Sequence, residues 1–241
     1  MTNPATSRPS IADLIGRDGF AFVHAAEMQG VLQAQGLAGW DEFAASWNDL
    51  GLDTYMADGG RYRRRRFAVF QANAAGIRRE AHQPHYQTLD YNHLNGGVAR
   101  WFEPVPDGLS EGASFQAILK ACHFLFDSLR PNQTWHIETH QFRIEASPGE
   151  AGQPTPEGHH RDGVDFVLVL MIRRENIARG TTTIHAPDGA ELGSFTLEHP
   201  FEAALVDDHR VFHGVTAVEP IDASLPAHRD VLVVTFRSVS V

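Results

Sequence analysis

Fourteen histidines in a chain of 241 residues make imidazole chemistry the first possibility to test. His160 and Asp162 are separated by one residue and precede an apolar run at residues 166–171. Residues i and i+2 of an extended backbone share a face, so this spacing presents an imidazole and a carboxylate together. A further histidine, His213, begins a β-rich run downstream. These three side chains are therefore candidates to bind one metal ion.

Two neutral imidazoles and one carboxylate occupy one face of an octahedron and leave three positions open. This ligand set is typical of the non-haem Fe(II) oxygenases. Three open positions matter because a chelating cosubstrate and dioxygen must be held together. Other side chains close in sequence could compete for the ligand roles, and we rank them as neighbours of the site: His159, Asp165, Asp207, Asp208 and His209.

Arg229 opens a strand-like run at residues 229–236. Iron(II) with one carboxylate ligand carries a formal charge of about +1, whereas a 2-oxoacid with two carboxylates is a dianion. A guanidinium can bind the far carboxylate in a bidentate manner and fix its orientation. The alternative is a surface ion pair of Arg229 with Asp222 or Asp230.

Residues 136–140 read His-Ile-Glu-Thr-His, which is superficially similar to the His-Glu-x-x-His helix of zinc proteases. The glutamate comes one position late, and the alternation over residues 135–144 indicates a strand. On a strand, His136, Glu138 and His140 share one face, while Gln141 and Arg143 belong to the other. A metalloprotease is therefore disfavoured, and the simplest role of one face is contact with water.

Short β-rich runs occupy most of the second half of the chain and predict strands there. We expect strands at residues 135–145, 165–173, 181–186, 194–197, 203–206, 211–218 and 229–238, after helices at 11–15, 40–52 and 114–129 and a strand at 19–23. This pattern predicts a mainly β fold with flanking α-helices, a sandwich or jelly roll. We expect one domain over residues 1–241, with a helical buttress mostly in 1–130 and the metal-binding jelly-roll core mostly in 131–238.

The composition narrows the class of protein. A net charge of -10 disfavours a nucleic-acid partner, and the arginine run at residues 61–66 is better explained by a strand that alternates between solvent and a polar cleft. No apolar run is long enough to cross a bilayer. The polar start at residues 1–10 has no secretory signal. The single cysteine, Cys122, cannot form an internal disulfide, which agrees with a reducing compartment, so we expect a cytoplasmic protein.

Four segments in order resemble the Fe(II)- and 2-oxoglutarate-dependent dioxygenases. They are residues 160–163 (His-Arg-Asp-Gly), 176–177 (Asn-Ile), 208–216 and 229–236. They are similar in particular to the bacterial branch that hydroxylates free L-amino acids such as isoleucine, which includes relatives associated with biofilm, stress and motility. A weaker likeness covers residues 91–100. One departure is Arg179-Gly180, where the resemblance leads us to expect two glycines, and we expect this change to alter a loop near the substrate.

The resemblance implies a double-stranded β-helix of the cupin-like jelly-roll type. It implies that His160, Asp162 and His213 bind Fe(II), and that Arg229 binds the distal carboxylate of 2-oxoglutarate. O2 is the further reactant, and ascorbate serves as a reductant in vitro. The expected reaction is hydroxylation of a small substrate, a free L-amino acid, with release of succinate and CO2.

A free amino acid needs groups that bind its carboxylate and its ammonium. Gln141, Arg143 and the run at residues 61–66 are available, and each is equally suited to a structural role, which for the arginines is an ion pair. Two other functions stay open: a non-catalytic or sensory member of the fold, and a cupin-like metalloenzyme that does not use 2-oxoglutarate. Arg229 argues against both, since neither needs a cation there. The sequence leaves the substrate, the position of hydroxylation and the oligomeric state open.

Overall fold

The computed structural model describes residues 9–239, so the polar start predicted for residues 1–10 lies almost entirely outside them. The helices are α1 (Ile11–Asp18), α2 (Ala25–Ala34), α3 (Trp40–Ala45), α4 (Asp107–Ser110) and α5 (Ala113–Leu129), and a 3-10 turn follows α3 at Ser46–Asp49. Ser10 caps α1 because its side-chain oxygen accepts from the Asp13 amide while the Asp13 carboxylate accepts from the Ser10 amide. None of the helices in this range is both long enough and apolar enough to span a membrane.

Twelve strands occupy the described residues. They are β1 (Phe20–Val23), β2 (Arg63–Asn73), β3 (Gly76–Arg79), β4 (Thr134–Ala146), β5 (Phe166–Glu175), β6 (Ile177–Arg179), β7 (Thr181–His185), β8 (Glu191–Thr196), β9 (Ala203–Asp207), β10 (Phe212–Val215), β11 (Val218–Pro220) and β12 (Ala227–Val239). The prediction of a mainly β fold with flanking helices is confirmed.

Seven strands form the major sheet in the order β1-β9-β5-β12-β4-β2-β3. All neighbouring strands in it are antiparallel, and β12 pairs with β4 along its whole length. The strands of the first half of the chain therefore share one sheet with those of the second half. The helical buttress expected in residues 1–130 also contributes β1, β2 and β3.

The two faces of the major sheet have different partners. Leu232, Val234 and Phe236 of β12 belong to a large apolar core that includes Phe115 and Phe126 of α5. The alternate residues Val231 and Val233 pack instead with side chains of β5 and β8. Strand alternation thus places the helices on one face and leaves the other face to enclose a second layer.

The second layer consists of a three-stranded sheet, β10-β7-β8, and the pair β11-β6. The single strand predicted for residues 211–218 is wrong in this respect, because β10 pairs with β7 whereas β11 pairs with β6. At the break, Thr216 accepts a hydrogen bond from the Thr181 amide at 2.9 Å.

The helix predicted for residues 40–52 is also shorter than expected. It tightens into the 3-10 turn after Ala45, and Leu50 is extended. Trp47 lies in that turn, where its indole N–H donates to the Phe142 carbonyl at 3.1 Å. The chain therefore leaves the helix at the point where Trp47 contacts β4.

Candidate active site

A cavity of about 410 Å³ lies on the inner face of the major sheet. Alternate residues of two strands line it: His136, Glu138, His140, Phe142 and Ile144 from β4, and Arg229, Val231, Val233, Thr235 and Arg237 from β12. His160, Asp162 and His213 also line this cavity. The three residues predicted to bind a metal and the predicted cosubstrate residue therefore share one chamber.

Backbone pairing brings the two histidines together. His160 and His213 form an isolated antiparallel bridge in which each amide donates to the other residue's carbonyl, at 2.9 and 3.0 Å. Directly opposed residues of such a bridge project their side chains to the same side. The ring centroids are 4.6 Å apart.

Asp162 completes the group. One carboxylate oxygen lies 3.7 Å from His160 Nε2 and the other lies 3.5 Å from His213 Nε2. The His160 ring donates from Nδ1 to the Gly158 carbonyl at 3.1 Å, a contact that leaves Nε2 free as a ligand. One donor atom from each of the three residues lies within 4.8 Å of the others.

Asp208 holds the loop that carries Asp162. Its carboxylate accepts from the amides of Asp162, Gly163 and Val164 at 2.9, 2.8 and 3.1 Å. Burial and the charge of Asp162 raise the pKa of Asp208 to about 6. Asp208 therefore positions the Asp162 loop and does not line the cavity itself.

The charges of the three residues are strongly coupled. Burial and the charge of His160 lower the pKa of His213 to about 4. Burial also opposes charge on His160, but the hydrogen bond and charge of Asp162 outweigh it and raise the pKa of His160 to about 9. At Asp162, burial is likewise outweighed by the contact with His160, and the pKa of the carboxyl falls below its usual range. Metal binding at this group would release the proton that the Asp162 carboxylate stabilises on His160.

The donor set fits a divalent transition metal, since two imidazoles and one carboxylate bind from one side and leave the cavity side open. The competing side chains are engaged elsewhere. His159 lies 2.8 Å from the Thr183 hydroxyl, and Asp165 pairs with Arg130 and His209. Asp207 accepts from the His209 amide. None of the five competitors lines the cavity.

Arg229 is 3% exposed and has no ion pair among the described residues. Its Nε and Nη2 atoms are buried without a hydrogen-bond partner. Burial and the charge of Arg174 lower the pKa of Arg229 to about 10. Neither Asp222 nor Asp230 pairs with it, since Asp222 binds Ser224 and Asp230 pairs with Arg143. Arg229 therefore presents an unpaired cation to the cavity that contains the candidate metal ligands.

A second group of potential ligands lies in the same cavity. His85 Nδ1 is 2.7 Å from a Glu138 oxygen, and His140 Nε2 is 3.6 Å from the same oxygen. However, the Arg65 guanidinium lies 2.5 Å from His140 Nδ1. A cation in contact with one of the three ligands opposes binding of another cation. This group therefore suits a metal less well than His160, Asp162 and His213.

The residues expected to bind substrate, Gln141 and Arg143, do not line the cavity. Gln141 is fully buried on the outer face and donates to the Ser46 hydroxyl at 2.9 Å. Arg143 pairs with Asp230 at 2.7 Å. Both residues follow the alternation predicted for β4, so the face opposite to the cavity holds them in structural contacts.

The arginine run alternates as predicted. Arg63 and Arg65 are buried and line the cavity, whereas Arg64 pairs with Glu145 and Arg66 with Asp49 outside it. Asp53 lies 2.7 Å from Arg63 and 3.6 Å from Arg65.

Sequence reasoning missed the part of the cavity that comes from the segment between β3 and α4. His85, Gln87 and Arg100 belong to it, and their backbone is tied by a bridge between His85 and Arg100. This segment forms no regular strand, so periodicity gives no signal there. The likeness noted at residues 91–100, which ends on Arg100, is the one hint available in the sequence.

Arg179 lies outside the cavity, contrary to the expectation that it alters a loop near the substrate. Its side chain is 66% exposed and pairs with Glu219 at 3.2 Å. Its φ of 62° lies in the left-handed region, which favours glycine. The change from glycine therefore affects a turn between β6 and β7 rather than the cavity wall.

Comparison with known proteins agrees with this geometry. A 3(1)-hydroxy-L-isoleucine 4-dioxygenase from Pantoea ananatis is 29% identical over 202 residues, covering 82% of this chain and 80% of the relative. An L-isoleucine-4-hydroxylase from Bacillus thuringiensis is 29% identical over 156 residues, covering 63% and 64%.

Among solved structures, a bsmA homolog from Methylobium petroleophilum PM1 superposes with a TM-score of 0.86 at 37% identity, covering 95% of this chain and 92% of that one. The structure of IDO from Bacillus thuringiensis shares the fold, with a TM-score of 0.77 at 16% identity over 99% and 100% of the chains. The family model described as "2OG-Fe dioxygenase" matches residues 44–235, which contain every candidate metal and cosubstrate residue. With its double-stranded β-helix and a match over most of its length, this chain belongs to the 2OG-Fe dioxygenase family.

Proposed function

We propose that this protein hydroxylates a free L-amino acid, using Fe(II), 2-oxoglutarate and O2 and releasing succinate and CO2. The observation that carries the proposal is the placement of His160, Asp162 and His213 in one cavity with the unpaired guanidinium of Arg229. Family membership supplies the reaction class. The amino-acid substrate is supported by two relatives, each 29% identical, one named for oxidation of 3(1)-hydroxy-L-isoleucine and the other for hydroxylation of L-isoleucine.

The roles follow from the chemistry of the donor atoms. His160 and His213 would bind Fe(II) through Nε2 and Asp162 through a carboxylate oxygen. Arg229 would bind the distal carboxylate of 2-oxoglutarate, because a buried guanidinium without a partner is stabilised by an anion. Bound Fe(II) with 2-oxoglutarate and O2 supplies the oxidation of a substrate C–H bond.

The remaining walls exclude water and shape the substrate space. Val167, Val169, Val231 and Val233 give the cavity an apolar strip along β5 and β12. An apolar strip beside charged residues suits a small molecule with an aliphatic part and a charged part. We also propose that residues 1–241 form one dioxygenase domain, because strands from both halves interleave in the major sheet.

The test begins without turnover. Anaerobic addition of Fe(II) and 2-oxoglutarate to the purified protein is expected to produce the weak visible charge-transfer band of the chelate. Succinate in place of 2-oxoglutarate is the control, since it lacks the keto oxygen. With O2 and ascorbate, the twenty proteinogenic amino acids are then screened for succinate release and for a product heavier by one oxygen atom.

Each alternative function predicts a different result. A non-catalytic member gives no succinate under any condition. A cupin-like enzyme that does not use 2-oxoglutarate binds metal but gives no charge-transfer band. Succinate release without any oxygenated amino acid retains the cofactor assignment and overturns the substrate class.

A further inference from the structure

Four arginines of the described residues are more than nine-tenths buried, and all four line the cavity: Arg63, Arg65, Arg100 and Arg229. Arg63 and Arg65 share the carboxylate of Asp53. Within the described residues, Arg100 and Arg229 have no carboxylate within ion-pair distance. The cavity thus contains two unpaired buried cations, and the 2-oxoglutarate proposed above accounts for one of them.

Arg100 is 2% exposed, and its contacts are weak for a buried cation. Its Nη2 donates to the Gln87 side-chain oxygen at 3.0 Å, while its Nε has no hydrogen-bond partner. The ring of Phe102 lies 5.9 Å from the guanidinium carbon. A neutral amide, a distant ring and the more distant carboxylates of Asp53, Glu138 and Glu157 compensate only part of the cost of removing this charge from water, since burial still lowers the pKa of Arg100. An anion in the cavity would compensate the remainder.

Gln87 relates Arg100 to the candidate metal site. Its amide oxygen accepts from Arg100, and its amide nitrogen lies 3.4 Å from the Asp162 carbonyl oxygen and 3.5 Å from an Asp162 carboxylate oxygen. One planar side chain therefore spans the space between the unpaired guanidinium and a candidate iron ligand. A group bound at Arg100 would therefore lie next to the side chain that contacts Asp162.

An anion bound at Arg100 would also lie in a cavity that contains two carboxylates. The carboxylates of Glu138 and Glu157 line the same cavity, and both interact electrostatically with Arg100. Glu157 has a buried oxygen without a hydrogen-bond partner. A ligand with a carboxylate alone would be repelled by these two side chains, whereas a zwitterion carries an ammonium group for them.

We propose that Arg100 binds the α-carboxylate of the amino-acid substrate and that Gln87 positions Arg100 relative to the metal site. This inference rests on the proposed function for the metal and 2-oxoglutarate. It assigns the two unpaired arginines to different ligands, Arg229 to the cosubstrate and Arg100 to the substrate. Gln141 and Arg143, expected from the sequence to bind substrate, have no part in it.

The test compares the binding of two ligands to the unmodified protein and to three variants. The probes are the proteinogenic L-amino acid that binds most tightly to the Fe(II)- and 2-oxoglutarate-loaded protein, and its α-carboxamide, which keeps the side chain and the amine. Binding is measured anaerobically by calorimetry and by the change in the visible band. The variants are Arg100→Ala and Arg100→Lys, with Arg78→Ala as the control because Arg78 is 69% exposed and lies outside the cavity.

The unmodified protein and Arg78→Ala are expected to prefer the acid over the amide. Arg100→Ala is expected to weaken binding of the acid by tens to thousands of fold, as for loss of one partner of a buried charge pair, while the amide changes little. Arg100→Lys keeps the charge without the planar fork and is expected to fall between them. A merely structural role would weaken the acid and the amide equally.

The outcomes separate this inference from the proposed function. Loss of 2-oxoglutarate affinity in Arg100→Ala, with amino-acid binding unchanged, reverses the assignment of the two arginines. Equal loss of acid and amide binding with an intact visible band overturns the Arg100 role alone.

Absence of binding by all twenty amino acids to the unmodified protein overturns both the role and the substrate class. Absence of the visible band overturns the cofactor assignment. If Arg100→Ala does not fold, Arg100→Lys with the same ligand pair decides the question.

Discussion

At the scale of single residues, the candidate metal site depends on one backbone bridge. His160 and His213 are far apart in sequence, and the paired hydrogen bonds between their backbones set the separation of their rings. Asp162 reaches the same point because it follows His160 by two residues and its loop is held by Asp208.

Alanine at His160, Asp162 or His213 is expected to weaken Fe(II) binding by at least about 100-fold, since loss of a mere outer-shell contact already costs 10–100-fold. The fold should persist, because the site is at the cavity surface. Metal analysis after dialysis measures the loss, with thermal unfolding as the check of folding. His159→Ala is the matched control, since His159 is adjacent and does not line the cavity. Full retention of iron in all three variants would contradict the assignment.

Arg229→Ala is expected to raise the KM for 2-oxoglutarate by tens to thousands of fold, about 2 to 5 kcal/mol, while changing the KM for the amino acid much less. The reason is the loss of the only cation proposed for the distal carboxylate. Steady-state kinetics with each substrate varied in turn measures both values. Arg64→Ala removes a guanidinium from the same sheet outside the cavity and should change neither. An unchanged dependence on 2-oxoglutarate would move the role to another residue.

At the scale of elements, strand alternation decides which polar residues meet the cavity. His140 and Phe142 of β4 face inward, and Gln141 and Arg143 between and beyond them face the helices. The sequence predicted this alternation, but it could not say which face of β4 would be enclosed, because both faces carry polar residues. The two strands that flank β4, β2 and β12, determine which face encloses the cavity. Their apolar residues on the opposite face pack into the core with the helices.

Arg143→Ala is expected to destabilise the fold by about 3 to 5 kcal/mol, because it leaves the buried carboxylate of Asp230 without its partner. The KM for the amino acid should not change in the folded fraction. Denaturant unfolding measures the loss. The double variant Arg143→Met with Asp230→Leu removes both charges and should recover much of it. A large rise in the amino-acid KM with unchanged stability would restore a binding role for Arg143.

Arg179→Gly is expected to leave both KM values unchanged, because Arg179 lies at the exposed turn after β6. The unfolding temperature should stay the same or rise, since a non-glycine residue in the left-handed region costs about 1–2 kcal/mol. The exposed contact with Glu219 that it loses is worth at most about 1 kcal/mol. Kinetics and thermal unfolding of the variant check this; a KM change beyond twofold would mean that the turn communicates with the cavity.

Prediction from sequence succeeded where spacing alone determines geometry. The helix at α5 and the long strands β4, β5 and β12 follow from local periodicity. The assignment of His160 and Asp162 as metal ligands stays a prediction, and Asp162 lies in a loop rather than in the extended strand from which the spacing argument began. The contribution of Arg100 could not be derived in this way, because its position is fixed by a bridge to His85 in an irregular segment. Such tertiary contacts leave no periodic signature in the chain.

At the scale of the whole molecule, the reaction of Cys122 with a thiol reagent measures how often the native structure unfolds. It is 1% exposed in the core beneath α5, and burial raises the pKa of its thiol far above the ordinary value. A thiol reagent should therefore react with it through unfolding rather than in the native state.

Fe(II) with 2-oxoglutarate is expected to slow the labelling of Cys122, since a ligand at 100 times its Kd stabilises the native state by about 2.7 kcal/mol. The rate should fall by about 100-fold in the regime where opening equilibrates before the reaction. Anaerobic labelling with and without both ligands measures it, and Asp162→Ala is the control that should show little protection. Rapid labelling of the native protein, unaffected by the ligands, would contradict this burial.

The strand order has a consequence for how the chain reaches this structure. β12 is the last strand of the described residues, yet it lies at the centre of the major sheet and joins β1-β9-β5 to β4-β2-β3. Until β12 is available, the two three-stranded parts have no shared partner, and the edges of β4 and β5 are open to unwanted pairing. Arg229 lies on this strand. Completion of the major sheet and placement of the proposed 2-oxoglutarate residue therefore coincide, so any partly folded state without β12 would lack the cosubstrate site.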